Sequence, residues 1–91
     1  MRFELVYHAE VTADVARLDE RLKHRLKTAL ETRLTVAPHQ YGEPLRKTLK
    51  GFWKLRVGDY RVVFKISGRE VWILGIIHRK DVYEKVEKRL G

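Results

Sequence analysis

A chain of 91 residues has room for one domain and a modest core. Twenty Lys and Arg against twelve Asp and Glu give a formal charge of +8, which points to a polyanionic partner, nucleic acid first, or an acidic protein. No cysteine is present, so disulfides and thiolate zinc sites are excluded, and the longest apolar run, Val71 to Ile77, is too short to cross a bilayer. The start, MRFELVYHAE, is charged from its second residue and does not read as a secretory leader, so the expected compartment is cytoplasmic.

RFELVYH alternates: Phe3, Leu5 and Tyr7 face one way, Arg2, Glu4 and His8 the other, which predicts a strand with one buried face. Thr12 offers an N-cap for a short helix over TADVARL, and Asp19 another for a second helix, unless the two run together. Leu22, Leu26, Leu30 and Leu34 recur every fourth residue, as in an amphipathic helix whose outer side carries Arg21, Lys23, Arg25 and Lys27. Asp19 and Glu20 are placed to pair with some of these cations, and the run reads as a solvated face before it reads as a nucleic-acid contact. Two prolines and a glycine in VAPHQYGEP end the helical region, and LRKTLKG follows as a short strand or basic loop.

FWKLRV and YRVVFKI then flank Gly58-Asp59, a two-residue turn suited to right-twisted strands. After the turn signal SGR, EVWILGIIH is rich in β-branched and aromatic residues and reads as a strand. DVYEKVEKRL reads as a closing helix, with Asp81 as N-cap, Glu84 three residues on, and an apolar stripe of Val82, Val86 and Leu90. The order β-α-α-β-β-β-α predicts an α+β fold over residues 1–91, a single domain. Its small antiparallel sheet has a mixed edge, carries two N-terminal helices on one face, and is completed by a short C-terminal helix.

A two-residue turn pairs Val57 with Tyr60, Arg56 with Arg61, Leu55 with Val62 and Lys54 with Val63. One face then holds Trp53, Leu55, Val57, Tyr60, Val62, Phe64 and Ile66 and is a core face; the other holds Lys54, Arg56, Arg61 and Lys65. Continuing the same parity puts Val71, Ile73 and Ile77 on the core face and Trp72, Leu74, Ile76 and His78 on the basic face, where the C-terminal helix should cover Trp72 and Leu74. Arg56 and Arg61 directly opposite each other repel, and a bound phosphate would turn that repulsion into a two-armed clamp. With Lys54 and His78 on the same face, an anion site is expected there.

The four histidines lie in different elements and no acidic cluster has metal-ligand spacing, so no metal and no cofactor are expected. A glycine-rich phosphate loop and a Ser–His–Asp arrangement are also missing from the sequence. A cluster of cations with a histidine and tyrosines suits metal-free RNA cleavage. A base takes the 2′-hydroxyl proton, cations hold the phosphate as charge builds on it, and an acid protonates the 5′-oxygen. Lys54 and His78 are both candidates for the base, and His78 also for the acid.

With LRKTLKGFWKLRVGDYRVVFKI and IIHRKDVYEKV in view, the chain resembles the RelE/ParE superfamily of type II toxins, whose pattern L-x-G-x-W/Y-K-x-R-x-G-x-Y-R-V-x-Y/F and closing H-R-x-x-V-Y it carries. The resemblance covers nearly the whole chain. It implies an endoribonuclease that enters the ribosomal A site and cuts mRNA, held in check by a cognate acidic antitoxin. By position, Lys54 matches a catalytic strand lysine, and Arg61 the arginine on the scissile phosphate. Arg79, with His78 as the other match, falls at the arginine that supports leaving-group protonation, and Tyr83 at the tyrosine that stacks on or orients a nucleotide. Arg46 and Arg56, with Lys47 and Lys50 of the same basic loop, fall at RNA-binding positions. Where a branch of the family has a second lysine two residues before Lys54, this chain has Phe52. Two rival readings follow from the same resemblance: a ParE-type toxin that poisons DNA gyrase by protein contact, and a member that binds RNA or an antitoxin without cutting. Arg61, Arg79 and Tyr83 favour the nuclease.

Overall fold

The alternating N-terminal segment forms β1 (Glu4–Tyr7), the first element of a computed structural model that describes residues 2–90. Two helices follow, α1 (Val11–Ala16) and α2 (Glu20–Ala29), and the second runs on through a π-helical turn to Leu34. Asp19 caps α2 as expected, its carboxylate accepting from the Leu22 amide at 2.8 Å, and this cap separates the two helices. Thr12 does not cap α1, which starts one residue before it, after Glu10. Val11 is thereby the first apolar residue of α1 to reach the core.

The proline-rich stretch holds one further helical turn, α3 (Pro38–Tyr41), with Pro38 in the first turn where its missing N–H costs nothing. A two-residue strand, β2 (Glu43–Pro44), precedes a loop with a 3₁₀ turn at Lys47–Leu49, in which Lys47 has φ of 57°. The three long strands are β3 (Trp53–Val57), β4 (Tyr60–Ser67) and β5 (Glu70–His78), and α4 (Val82–Leu90) closes the chain. Gly58 and Gly68 open the two hairpin turns with φ near +60°, the first central position of a turn whose twist matches the strands.

Sheet order is β1-β5-β4-β3-β2, with β1 parallel to β5 and every other pair antiparallel. The β3–β4 register is the one the two-residue turn dictates, Arg56 opposite Arg61 and Lys54 opposite Val63. The α1–α2 layer covers one face over Leu26, Leu30, Leu34, Leu55, Val62, Phe64, Val71 and Ile73. Across the sheet, α4 and the 45–52 loop enclose a second, smaller core of Leu45, Leu49, Val63, Ile77, Val82 and Val86.

The parity of β5 differs from the expectation. Val63 pairs with Gly75 but Phe64 with Ile73, so Leu74 is an extra residue and the strand bulges there. Beyond the bulge the faces exchange. Ile76 and His78 stand opposite Val62 and Tyr60 on the α1–α2 side, and Ile77 stands opposite Arg61 on the α4 side. Val82 and Val86 of the expected α4 stripe pack on Leu74, but Leu90 is exposed and Trp72 is left 45% exposed, its indole N–H on Glu70 at 3.2 Å.

Candidate functional site

The α4 side of the hairpin carries a recess of about 310 Å³ lined by Lys54, Arg61, Arg79, Lys80, Val82 and Tyr83. Four separate stretches build it: β3 gives Lys54, β4 gives Arg61, the β5–α4 turn gives Arg79 and Lys80, and the first turn of α4 gives Tyr83. Among the described residues no carboxylate lines it. A larger recess of about 560 Å³ lies between α1 and α4, but its walls mix Glu10, Asp14 and Asp81 with Arg17, Lys85 and Lys88. A polyanion needs walls of one sign, and only the smaller of the two offers them.

The two arginines of the small recess are each held by a local device. Arg61 turns back on its own hairpin, Nη1 donating to the carbonyls of Gly58 at 3.1 Å and Tyr60 at 2.9 Å. A guanidinium has five N–H donors, so Nε and Nη2 are left for a ligand. The Arg79 amide donates to the Asp59 carbonyl at 2.9 Å, and its Nε lies 3.7 Å from the Asp59 carboxylate, which ties the end of β5 to the β3–β4 turn. Asp81 holds the N-cap position of α4, its carbonyl accepting from the Lys85 amide at 3.0 Å. Tyr83 Oη accepts from the Arg46 amide at 3.1 Å, which fixes the ring against the basic loop and leaves it 38% exposed.

Of the residues singled out by sequence, Lys54, Arg61, Arg79 and Tyr83 thus come together. His78 does not join them. The bulge at Leu74 turns it to the other face, where its ring meets Tyr60 edge-on at 5.5 Å and lines the larger recess. There Nδ1 accepts from the Lys80 amide at 3.2 Å, and the His78 carbonyl from the Asp81 amide at 2.9 Å, so His78 braces the turn that presents Arg79 and Lys80.

Arg56 also departs from the expected clamp. It lines a separate cleft with His24, Arg25, Thr28 and Arg33 of the α2 segment. Strand β2 covers β3 only at Trp53 and Lys54, so the β3 edge beside Arg56 is open. The like-charged pair diverges, and the repulsion across the hairpin is eased. Arg46, Lys47 and Lys50 are exposed on the 45–50 loop, outside the recess but joined to it through the Arg46–Tyr83 bond.

Sequence reasoning passed over Lys80, whose signal was its place in the cationic run HRK, and the pair Asp14 and Arg89, which had no local signal. Among the described residues no group of three or more His, Cys, Asp or Glu side chains is placed to hold a metal ion. The recess brings together guanidinium donors, two ammonium groups and an aromatic face on its rim, a set suited to holding an anion.

Comparison with known proteins identifies the family. Residues 5–83 match the model of the ParE toxin of the type II toxin–antitoxin system parDE. Toxin RelE of Mycobacterium tuberculosis is 37% identical over 83 residues, covering 85% of this chain and 86% of that protein. Among solved structures, the RelBE2 toxin–antitoxin complex of M. tuberculosis superposes with a TM-score of 0.80 at 26% identity, over 87% of this chain and 100% of the other. A free-state mutant of E. coli toxin RelE gives 0.76 at 19% identity over the whole of both chains, a likeness of fold. The chain belongs to the RelE/ParE superfamily of type II toxins.

Proposed function

We propose that this toxin is a metal-independent endoribonuclease that cleaves mRNA in the ribosomal A site. The observation that carries the reading is the convergence of Lys54, Arg61, Arg79 and Tyr83 from four parts of the chain on one cationic recess. In the proposed reaction Lys54 takes the 2′-hydroxyl proton and the 2′-oxygen attacks the adjacent phosphorus. Arg61 holds the non-bridging oxygens as negative charge grows, and the 5′-oxygen leaves with a proton from the Lys80 ammonium while Arg79 steadies it. Tyr83 offers its ring to a base. We assign the base role to Lys54, a choice supported by the place of His78 on the other face. Arg46, Lys47, Lys50 and Arg56 are assigned to RNA backbone contacts outside the recess.

A second reading, inhibition of DNA gyrase by protein contact, is supported by the match to the ParE toxin model. Purified protein added to ribosomes carrying a defined mRNA, and separately to a gyrase supercoiling reaction, distinguishes the two. Cleavage without effect on gyrase is expected; loss of supercoiling with intact mRNA would replace the nuclease reading by the second. The partner we assign is an acidic antitoxin, in line with the toxin–antitoxin complexes formed by relatives and with the charge of +8. The compartment we assign is the cytoplasm, where ribosomes and mRNA are found.

A further inference from the structure

Strand β1 ends at Tyr7, opposite Ile73, and the last bond of that ladder runs from the His8 amide to the Ile73 carbonyl. Among the described residues no strand lies on that side of β5 from Leu74 onward, although its backbone still needs partners. Two side chains from opposite layers supply them. Asp14 of α1 accepts from the Ile76 amide at 3.0 Å, and Arg89 of α4 donates to the Leu74 carbonyl at 3.1 Å.

The same two side chains bind each other in a two-pronged pair, Nη1 to Oδ2 at 2.7 Å and Nη2 to Oδ1 at 2.6 Å. Their side chains are 10% and 11% exposed, against 31–91% for the exposed pair Lys23–Glu20. Glu10 adds a carboxylate 3.5 Å from Arg89 Nε. These contacts, Asp14 foremost, raise the Arg89 pKa above its already high ordinary value, so the guanidinium stays charged. Gly75 leaves the space, since a β-carbon there would collide with Arg89 Nη1. The pair thus stands in for a missing strand segment and clasps the two helix layers around the end of β1.

Helix α4 carries Tyr83 at its start and Arg89 at its end, and its contacts lie along its whole length. Tyr83 is tied to Arg46, Glu87 accepts from Thr48 Oγ1 at 3.1 Å, and Arg89 is tied to Asp14. A short helix of nine residues has little stability of its own and keeps its place through such contacts.

We infer that Asp14 and Arg89 are positioning residues, whose part-buried pair on the β5 bulge holds α4 in the register that seats Tyr83 on Arg46 and at the rim of the cationic recess. Neither side chain lines that recess, so their effect on it passes through α4. The consequence for RNA cleavage rests on the nuclease reading; the seating of Tyr83 does not.

The test is NMR amide exchange on the isotope-labelled protein, comparing wild type with Arg89→Met and Arg89→Lys. The Arg46 amide reports whether Tyr83 Oη is in place, without any RNA. In Arg89→Met, exchange across residues 84–90 and at Arg46 should rise by roughly tenfold or more while β4 and β5 stay protected. Arg89→Lys can reach Asp14 but cannot form the fork, so it should fall between. It also carries the test if Arg89→Met does not fold. Cleavage on programmed ribosomes should decline in the same order. Unchanged exchange at Arg46 in both variants, or a loosened α4 with Arg46 still protected, would overturn the inference. If wild type itself does not cleave, the nuclease reading fails, and exchange at Arg46 still decides whether the pair positions Tyr83.

Discussion

Arg56 and Arg61 are direct partners across the β3–β4 hairpin, yet they line different recesses, Arg56 beside α2 and Arg61 beside α4. The hairpin therefore presents one arginine to the proposed scissile phosphate. Arg61→Ala should lower cleavage by about 100-fold or more, the loss typical of removing a charge-stabilising donor. It should cost only about 1 kcal/mol of stability, for the bonds to the Gly58 and Tyr60 carbonyls. Arg56→Ala should keep cleavage within a few-fold of wild type. Ribosome-dependent cleavage and thermal melting of both variants check this; equal loss of activity in the two would restore a shared clamp.

Core energetics centre on Phe64, fully buried in the larger core beside Gly42, and less on its neighbour Trp53. Phe64→Ala should cost about 3–5 kcal/mol. Trp53 is half-buried at the β2 end of the sheet, stacked at 6.5 Å on Phe64 and edge-on to His39. Its truncation should cost about 2 kcal/mol. Denaturant unfolding of the two variants gives the order directly.

For Tyr83 the ring and the hydroxyl separate. Tyr83→Phe keeps the stacking surface but strands the Arg46 amide, which is solvent-accessible, so a loss of about 1 kcal/mol and most of the RNA binding retained are expected. Tyr83→Ala should lose about 1–3 kcal/mol of nucleotide binding. Because the ring is partly exposed and Val82 and Val86 fill the small core, its melting temperature should stay close to that of Tyr83→Phe. A large drop in melting temperature for Tyr83→Ala alone would make the ring a packing element.

Much of this was legible before the structure. Asp19 as a cap, the leucine stripe of α2, the Gly58-Asp59 turn and the pairing of Arg56 with Arg61 all follow from local chemistry and strand parity. Parity also produced the main error, because it assumes an uninterrupted strand. Gly75 inside EVWILGIIH was the available sign of a bulge, and reading it would have moved His78 off the basic face. The Asp14–Arg89 pair spans 75 positions and joins elements from opposite sheet faces, so nothing in either local sequence foretells it.

The proposed antitoxin should bind through charge as well as apolar contact. Association measured from 50 to 500 mM salt should weaken steadily, because rim charges are screened as the Debye length falls to a few ångströms. An affinity independent of salt would mean that the +8 charge serves some other partner.

The most direct measurement is the chemistry of the cut ends. If Lys54 draws the proton from the 2′-hydroxyl and Arg61 steadies the phosphate, ribosome-bound mRNA treated with this protein in the presence of a metal chelator should yield a 2′,3′-cyclic phosphate and a 5′-hydroxyl. Arg61→Ala should yield almost none of either. Ends bearing a 3′-hydroxyl and a 5′-phosphate, or cleavage that stops when metal is removed, would contradict the account.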